Sequence, residues 1–156
     1  MTTFKSIVAA AVSAALLCSA NPAQAATSNQ AAEQLRRLDI MLMVTALRCR
    51  KGPDNFQPDY NKFSAVQLQT MNAASRQMKA GMEKQLGVKG AARRLDQISV
   101  SMANDYGNGH PWLGCAELRQ VTRELTAERD ATRLASAADE LLAPRPNGAL
   151  ARLARR

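Results

Sequence analysis

The chain has 156 residues, with 21 basic and 13 acidic side chains and a single histidine. That length supports one core and no second domain, and one histidine excludes a multi-histidine metal centre and makes zinc catalysis a poor fit. The net charge of +8 is unevenly spread: Arg145, Arg152, Arg155 and Arg156 follow Pro144 with no acid among them, while residues 26–143 hold 16 basic and 13 acidic side chains, so a uniformly basic nucleic-acid surface is not expected.

The N-terminal stretch has the layout of a secretory signal. Lys5 supplies a positive start, an apolar run extends from Ile7 to Cys18 broken only by Ser13, and a turn-prone segment containing Pro22 leads to Ala23-Gln24-Ala25. Small residues at that spacing suit a signal peptidase, which places the cleavage between Ala25 and Ala26. The apolar run is too short to cross a bilayer core of about 30 Å. Leu17 stands where a lipoprotein signal needs a small residue before Cys18. The expected organisation is therefore a signal peptide over 1–25, a helical domain over 26–143 and a basic, disordered tail over 144–156. Two cysteines survive cleavage, Cys49 and Cys115. An even count in an oxidising compartment argues for a disulfide between them. Their separation of 66 residues fits no metal motif, and closing such a loop is worth roughly 4 kcal/mol in the chain-entropy account.

Thr27 and Gln30 form a capping box that predicts the start of a first helix. Leu35, Leu38, Leu42, Ala46 and Cys49 recur at steps of three and four, and Ile40, Met41, Met43, Val44 and Leu47 fill the other faces, as in a helix buried nearly all round. Gly52 and Pro53 predict its end. Asp54 to Pro58 reads as a loop or short turn. Phe56, Tyr60 and Phe63 then share one helical face, read as a lid over the core rather than a stacking shelf. Ser64-Ala65-Val66-Gln67 reads as a second capping box, opening an amphipathic helix through Leu68, Met71, Ser75, Met78, Met82 and Leu86. Thioethers suit Cu(I), but no histidine or cysteine flanks these methionines, so they are assigned to the core. Gly87 and Gly90 bracket the end of this helix. A third helix spans about Ala91 to Tyr106, with Leu95, Ile98, Met102 and Tyr106 on one face, and Gly107-Asn108-Gly109 breaks it. A last helix starts near Cys115 and carries Leu118, Val121, Leu125, Leu134, Ala138 and Leu141, with a bend across Ala127 to Thr132. Pro144 and Pro146 stop it. Leu150 and Leu153, in the basic tail, are placed to order on a partner. The fold class is all-α: a small antiparallel bundle of about four helices with one disulfide.

Chemistry is thinly marked. His110 lies in a Gly/Pro loop beside Trp112 and Cys115, with Asp105 and Glu117 close in sequence, so these three are the weak candidates for a catalytic group. No nucleophile stands beside them, and the preferred role for His110 is to hydrogen-bond the loop that presents the disulfide. Neither a metal nor another cofactor is implied. Arg36-Arg37 and Arg93-Arg94 read as solvated faces.

The stretch Leu38-Asp39-Ile40-Met41-Leu42-Met43-Val44-Thr45-Ala46-Leu47-Arg48-Cys49, with Phe56, Tyr60 and Phe63, then Ser101-Met102-Ala103-Asn104 and Gly109-His110-Pro111-Trp112-Leu113-Gly114-Cys115, resembles a family of small exported proteins from alphaproteobacteria. The resemblance implies export and the cysteine pair and supplies no catalytic residues. Some members carry the transferred name S-adenosyl-L-homocysteine hydrolase; that enzyme has a large nicotinamide-binding Rossmann half, which this sequence lacks. Three functions are consistent with this reading. The first is a non-enzymatic periplasmic or secreted protein that binds or protects an envelope component, its arginines at 145, 152, 155 and 156 meeting an anionic surface. The second is an acid-stress, holdase-type chaperone that exposes its methionine-rich helix. The third is a small hydrolase using His110.

Overall fold

The computed structural model describes residues 22–144, with side chains from Asn29 onward. Among the described residues the chain forms helices and no strands: α1 (Pro22–Cys49), α2 (Gln57–Val66), α3 (Leu68–Asp105), α4 (Cys115–Ala127) and α5 (Ala131–Leu142). The expected signal segment up to Asn21 and the arginines of the tail lie outside the described residues. The expected cleavage point, Ala25 and Ala26, lies in α1.

Helix α1 begins at Pro22 rather than at the Thr27 capping box. Proline is at home in the first turn, and the alanines that follow it favour continued helix over a break at a threonine. The predicted stripe Leu35, Leu38, Leu42, Ala46 and Cys49 is buried throughout, as are Ile40 and Met41. Burial is not complete all round, because Met43 and Leu47 are exposed. Gly52 N–H closes the turn after α1 on the Cys49 carbonyl at 3.1 Å. Cys49 and Cys115 are joined by a disulfide, which fastens the last turn of α1 to the first of α4.

Helix α2 sets Phe56 and Phe63 into the core, fully buried, with Tyr60 half-buried between them. The aromatic face is a lid, as its spacing predicted. The second capping box is absent. Ser64 sits inside α2, and Gln67 occupies the junction with α3 without capping it. The Gln67 side chain is instead buried and reaches across the fold, its amide donating to the carbonyls of Leu125 (3.1 Å) and Glu128 (2.7 Å). It satisfies the open C-terminal carbonyls of α4, which have no partner within their own helix.

The predicted second and third helices are the two helical stretches of α3, which meet at Gly87 (φ 65°, ψ 171°), where the sequence places a break. Only glycine adopts that conformation at low cost. A straight helix would set Gln77 and Ser99 about 33 Å apart, yet their partners on α1, Asn29 and Arg36, are about 10 Å apart along that helix. The sharp bend at Gly87 brings both halves of α3 onto α1. Met71, Ala74 and Met78 are buried before the bend and Ala91 and Met102 after it. Gly90 stays helical, and a Cβ there would lie 2.9 Å from Leu86 Cβ.

Arg36 and Arg37 are not merely solvated. Arg36 donates to Ser99 Oγ (3.2 Å) and lies 3.6 Å from Asp39, while Arg37 pairs with Asp105 at 2.9 Å, so the pair ties α1 to α3. Arg93 and Arg94 are exposed. The predicted last helix is two helices. The bend at 127–132 is a full break, where Asp130 caps α5 by accepting the Thr132 (2.8 Å) and Arg133 (3.1 Å) N–H groups. No described helix is long and apolar enough to cross a membrane.

Candidate functional site

The sequence pointed to the loop between α3 and α4. Gly109 takes a positive φ of 99°, turning the chain so that His110 faces inward. The ring of His110 lies parallel to Tyr106 at 6.5 Å between centroids and edge-on to Trp112 at 4.8 Å. His110 Nδ1 accepts the Leu113 N–H at 3.1 Å. Because that partner can only donate, the imidazole proton sits on Nε2, which donates to the Leu141 carbonyl at 3.0 Å. Trp112 Nε1 donates to the Ala143 carbonyl at 3.3 Å. Two carbonyls at the end of α5, a place where helical carbonyls lack partners, are thus held by one loop. Burial pushes the His110 pKa below its ordinary value, against the opposing effects of the Leu141 carbonyl and the Glu117 charge.

The other two candidate acids do different work. Asp105 is spent on Arg37. Glu117 accepts the Gly114 N–H at 2.8 Å and so caps α4. A small recess of about 180 Å³ lies beside His110 and the disulfide. The hydroxyl in its wall, on Thr45, donates to the Met41 carbonyl at 2.7 Å. His110 presents no free nitrogen there, and the structure does not bring His110, Asp105 and Glu117 together as a catalytic group.

One acid that the sequence left unmarked is singled out by the fold. Asp39 is largely buried, accepts a hydrogen bond from the Tyr60 hydroxyl at 3.2 Å and lies beside Arg36. Burial pushes its pKa up, opposed by Tyr60 and Arg36. The chain Tyr60–Asp39–Arg36–Ser99 joins α2, α1 and α3 and is spent on structure. No cluster of three metal-ligating side chains occurs among the described residues.

The open chemistry lies on the other side of the His110 loop. Helices α4 and α5 diverge from their shared break and leave a cleft of about 210 Å³. Its floor is Leu113, Val121, Leu125, Ala137 and Leu141, with the half-buried Trp112 at one end. Its rim carries Glu124, Glu128, Glu140 and Arg133. Glu128 is occupied, accepting the N–H groups of Arg129 and Asp130 at 2.8 Å each and pairing with Arg133 at 3.3 Å. Those backbone bonds hold its carboxyl below the usual range. Glu124 and Glu140 remain on the exposed rim, and among the described residues the only hydrogen bond to either is from Gln120 to Glu124 at 3.1 Å. The signal for this cleft in the sequence was faint: Val121 sits on the apolar stripe but ends only half-buried, and the break that opens the cleft showed only as a weakened stripe.

Comparison of the chain with family models, with curated proteins and with solved structures finds no match.

Proposed function

We propose that this is an exported, non-enzymatic protein of the cell envelope that holds the apolar part of a cationic ligand in the α4–α5 cleft. Export is supported by the signal layout of residues 1–25 and by the Cys49–Cys115 disulfide, which persists in oxidising compartments. The observation that carries the binding role is the cleft itself: an apolar floor ending on Trp112, below two rim carboxylates that have no basic partner among the described residues. Sites of this kind pair apolar burial with a few polar groups that set orientation. The volume of 210 Å³ somewhat exceeds the roughly 150 Å³ that admits benzene, so it takes a short alkyl chain or two leucine side chains.

Trp112 is the only tryptophan and reports on the cleft directly. Titration of the disulfide-bonded protein with octylamine is expected to give a saturable change in its fluorescence, with octanoate binding about tenfold more weakly, a difference of about 1.4 kcal/mol. Ala137→Phe, which fills the floor, is expected to abolish the response. A flat titration, or one unaltered by Ala137→Phe, would remove the reading.

A second reading, the acid-opened holdase, draws support from one observation. The contact that seats the end of α5 runs through a titratable ring, His110, with Tyr106 against it and Glu117 nearby. If it holds, circular dichroism and dye binding show opening as the pH falls towards about 2, together with suppression of client aggregation. A body that stays closed and protects no client would eliminate it.

A further inference from the structure

The chain continues past α5 into a segment that suits the cleft chemically. The backbone leaves α5 at Ala143, whose carbonyl is bonded to Trp112, so the described chain ends at the Trp112 end of the cleft. Pro146-Asn147-Gly148 is turn chemistry. Leu150 and Leu153 then follow at helical spacing, with Arg152, Arg155 and Arg156 around them and no acid. The far end of the cleft, at Arg133, is about 12 Å from Leu141 along α5. The residues between Pro144 and Leu150 reach about 20 Å when extended, which is enough to turn back and lie along the groove. The tail offers two leucines where the floor has room for two, and arginines where the rim has Glu124 and Glu140.

We propose that residues 145–156 fold back in cis into the α4–α5 cleft, with Leu150 and Leu153 on its floor and the arginines against Glu124 and Glu140, so that an incoming cation must displace the tail. This inference rests on the reading of the cleft as the binding site and adds its regulation. A tethered segment acts at an effective concentration in the millimolar range, so even a weak contact competes with a free ligand.

The test uses the full chain. Leu150→Ser/Leu153→Ser is expected to move Trp112 emission to the red, as water enters the cleft, and to tighten octylamine binding about tenfold. Adding a synthetic peptide of residues 145–156 to that variant is expected to reverse both changes. Arg152→Glu/Arg155→Glu/Arg156→Glu is expected to have the same effect as the leucine variant. Identical emission in the parent and the leucine variant overturns the inference; if octylamine still binds both with equal affinity, the cleft reading stands alone. If octylamine binds neither, the cleft reading fails, and the emission shift with its reversal by peptide still decides the tail. An emission difference that appears only as protein concentration and elution size rise together assigns the cleft to a second copy's tail and overturns the cis arrangement. Loss of binding to anionic vesicles in the arginine variant, with emission unchanged, assigns the tail to a lipid surface and overturns it as well.

Discussion

Helix α5 borders two grooves. One, against α1 and the first half of α3, has a volume of about 720 Å³ and is lined by Ala31, Ala32, Ala73, Ala74 and Ala135, with threonine and glutamine among them. The other, against α4, has about 210 Å³ and carries Trp112, branched aliphatic residues and a charged rim. The alanine groove is wide because its side chains are short. Its lining carries no charged side chain to fix an orientation. The smaller cleft has walls with reach, one aromatic end and a sign of charge. Recognition depends on where area and charge converge, and on that basis the smaller groove is the proposed site.

The two grooves also have separate supports, which makes the comparison breakable. The largest effect is expected at the disulfide, which holds the start of α4 and hence one wall of the cleft. Cys49→Ser/Cys115→Ser should lower unfolding free energy by about 4 kcal/mol in a denaturant titration. Amide exchange should quicken in α4 and α5 before it does in α1. A loss below about 1 kcal/mol, or uniform exchange, would show that α4 is seated by packing alone.

The next pair of substitutions separates the grooves. His110→Ala strands the Leu113 N–H and the Leu141 carbonyl and should cost about 2 kcal/mol. Because it frees the Trp112 end of the cleft, it should also weaken octylamine binding. Gly87→Ala forces a side chain into a glycine-only conformation at a cost of about 1–3 kcal/mol. It acts on the α1–α3 side and should leave octylamine affinity unchanged. Equal loss of affinity in both variants would merge the two supports into one.

A smaller effect follows pH. His110 has a folded pKa below its ordinary value of 6.5, so the unfolded chain takes up the proton first. Its contribution to stability is whole above about pH 6.5, is lost as pH falls from there towards the folded pKa, and changes no further below it. Denaturant midpoints across that window should fall for the parent and stay flatter for His110→Gln. The smallest effect is at the rim: Glu124→Gln and Glu140→Gln should each weaken octylamine binding about threefold at low salt with stability unmoved, as exposed charges do. Gln69→Ala, in the alanine groove, should do nothing.

What the sequence made legible was periodic or covalent. Leu35 to Cys49, the Phe56–Tyr60–Phe63 face and Leu118 to Leu141 announced buried stripes, and Cys49 with Cys115 announced the staple. Gly87 marked a break because its requirement is local. Gln67 and Glu117 show the limit. Local spacing made Gln67 a cap, but it is a long-range donor to α4, a role set by a helix 58 residues away. Glu117, a candidate acid by its place in the sequence, is the cap, its partner being the glycine three residues before it. Asp39 had no local mark, because its burial comes from α2 laid over α1. The cleft was least legible of all, since it exists only where α4 and α5 part after their break, and a one-dimensional pattern does not record the angle between helices.

The central claim is that the α4–α5 cleft, and not the larger groove, takes a cationic apolar ligand. Methyl and indole chemical shifts of the disulfide-bonded full chain, followed by NMR during octylamine titration, test it most directly. The account predicts saturable shifts gathered on Trp112, Val121, Ala137 and Leu141. Shifts gathered on Ala31, Ala73 and Ala135, or none at any concentration short of unfolding, would contradict it.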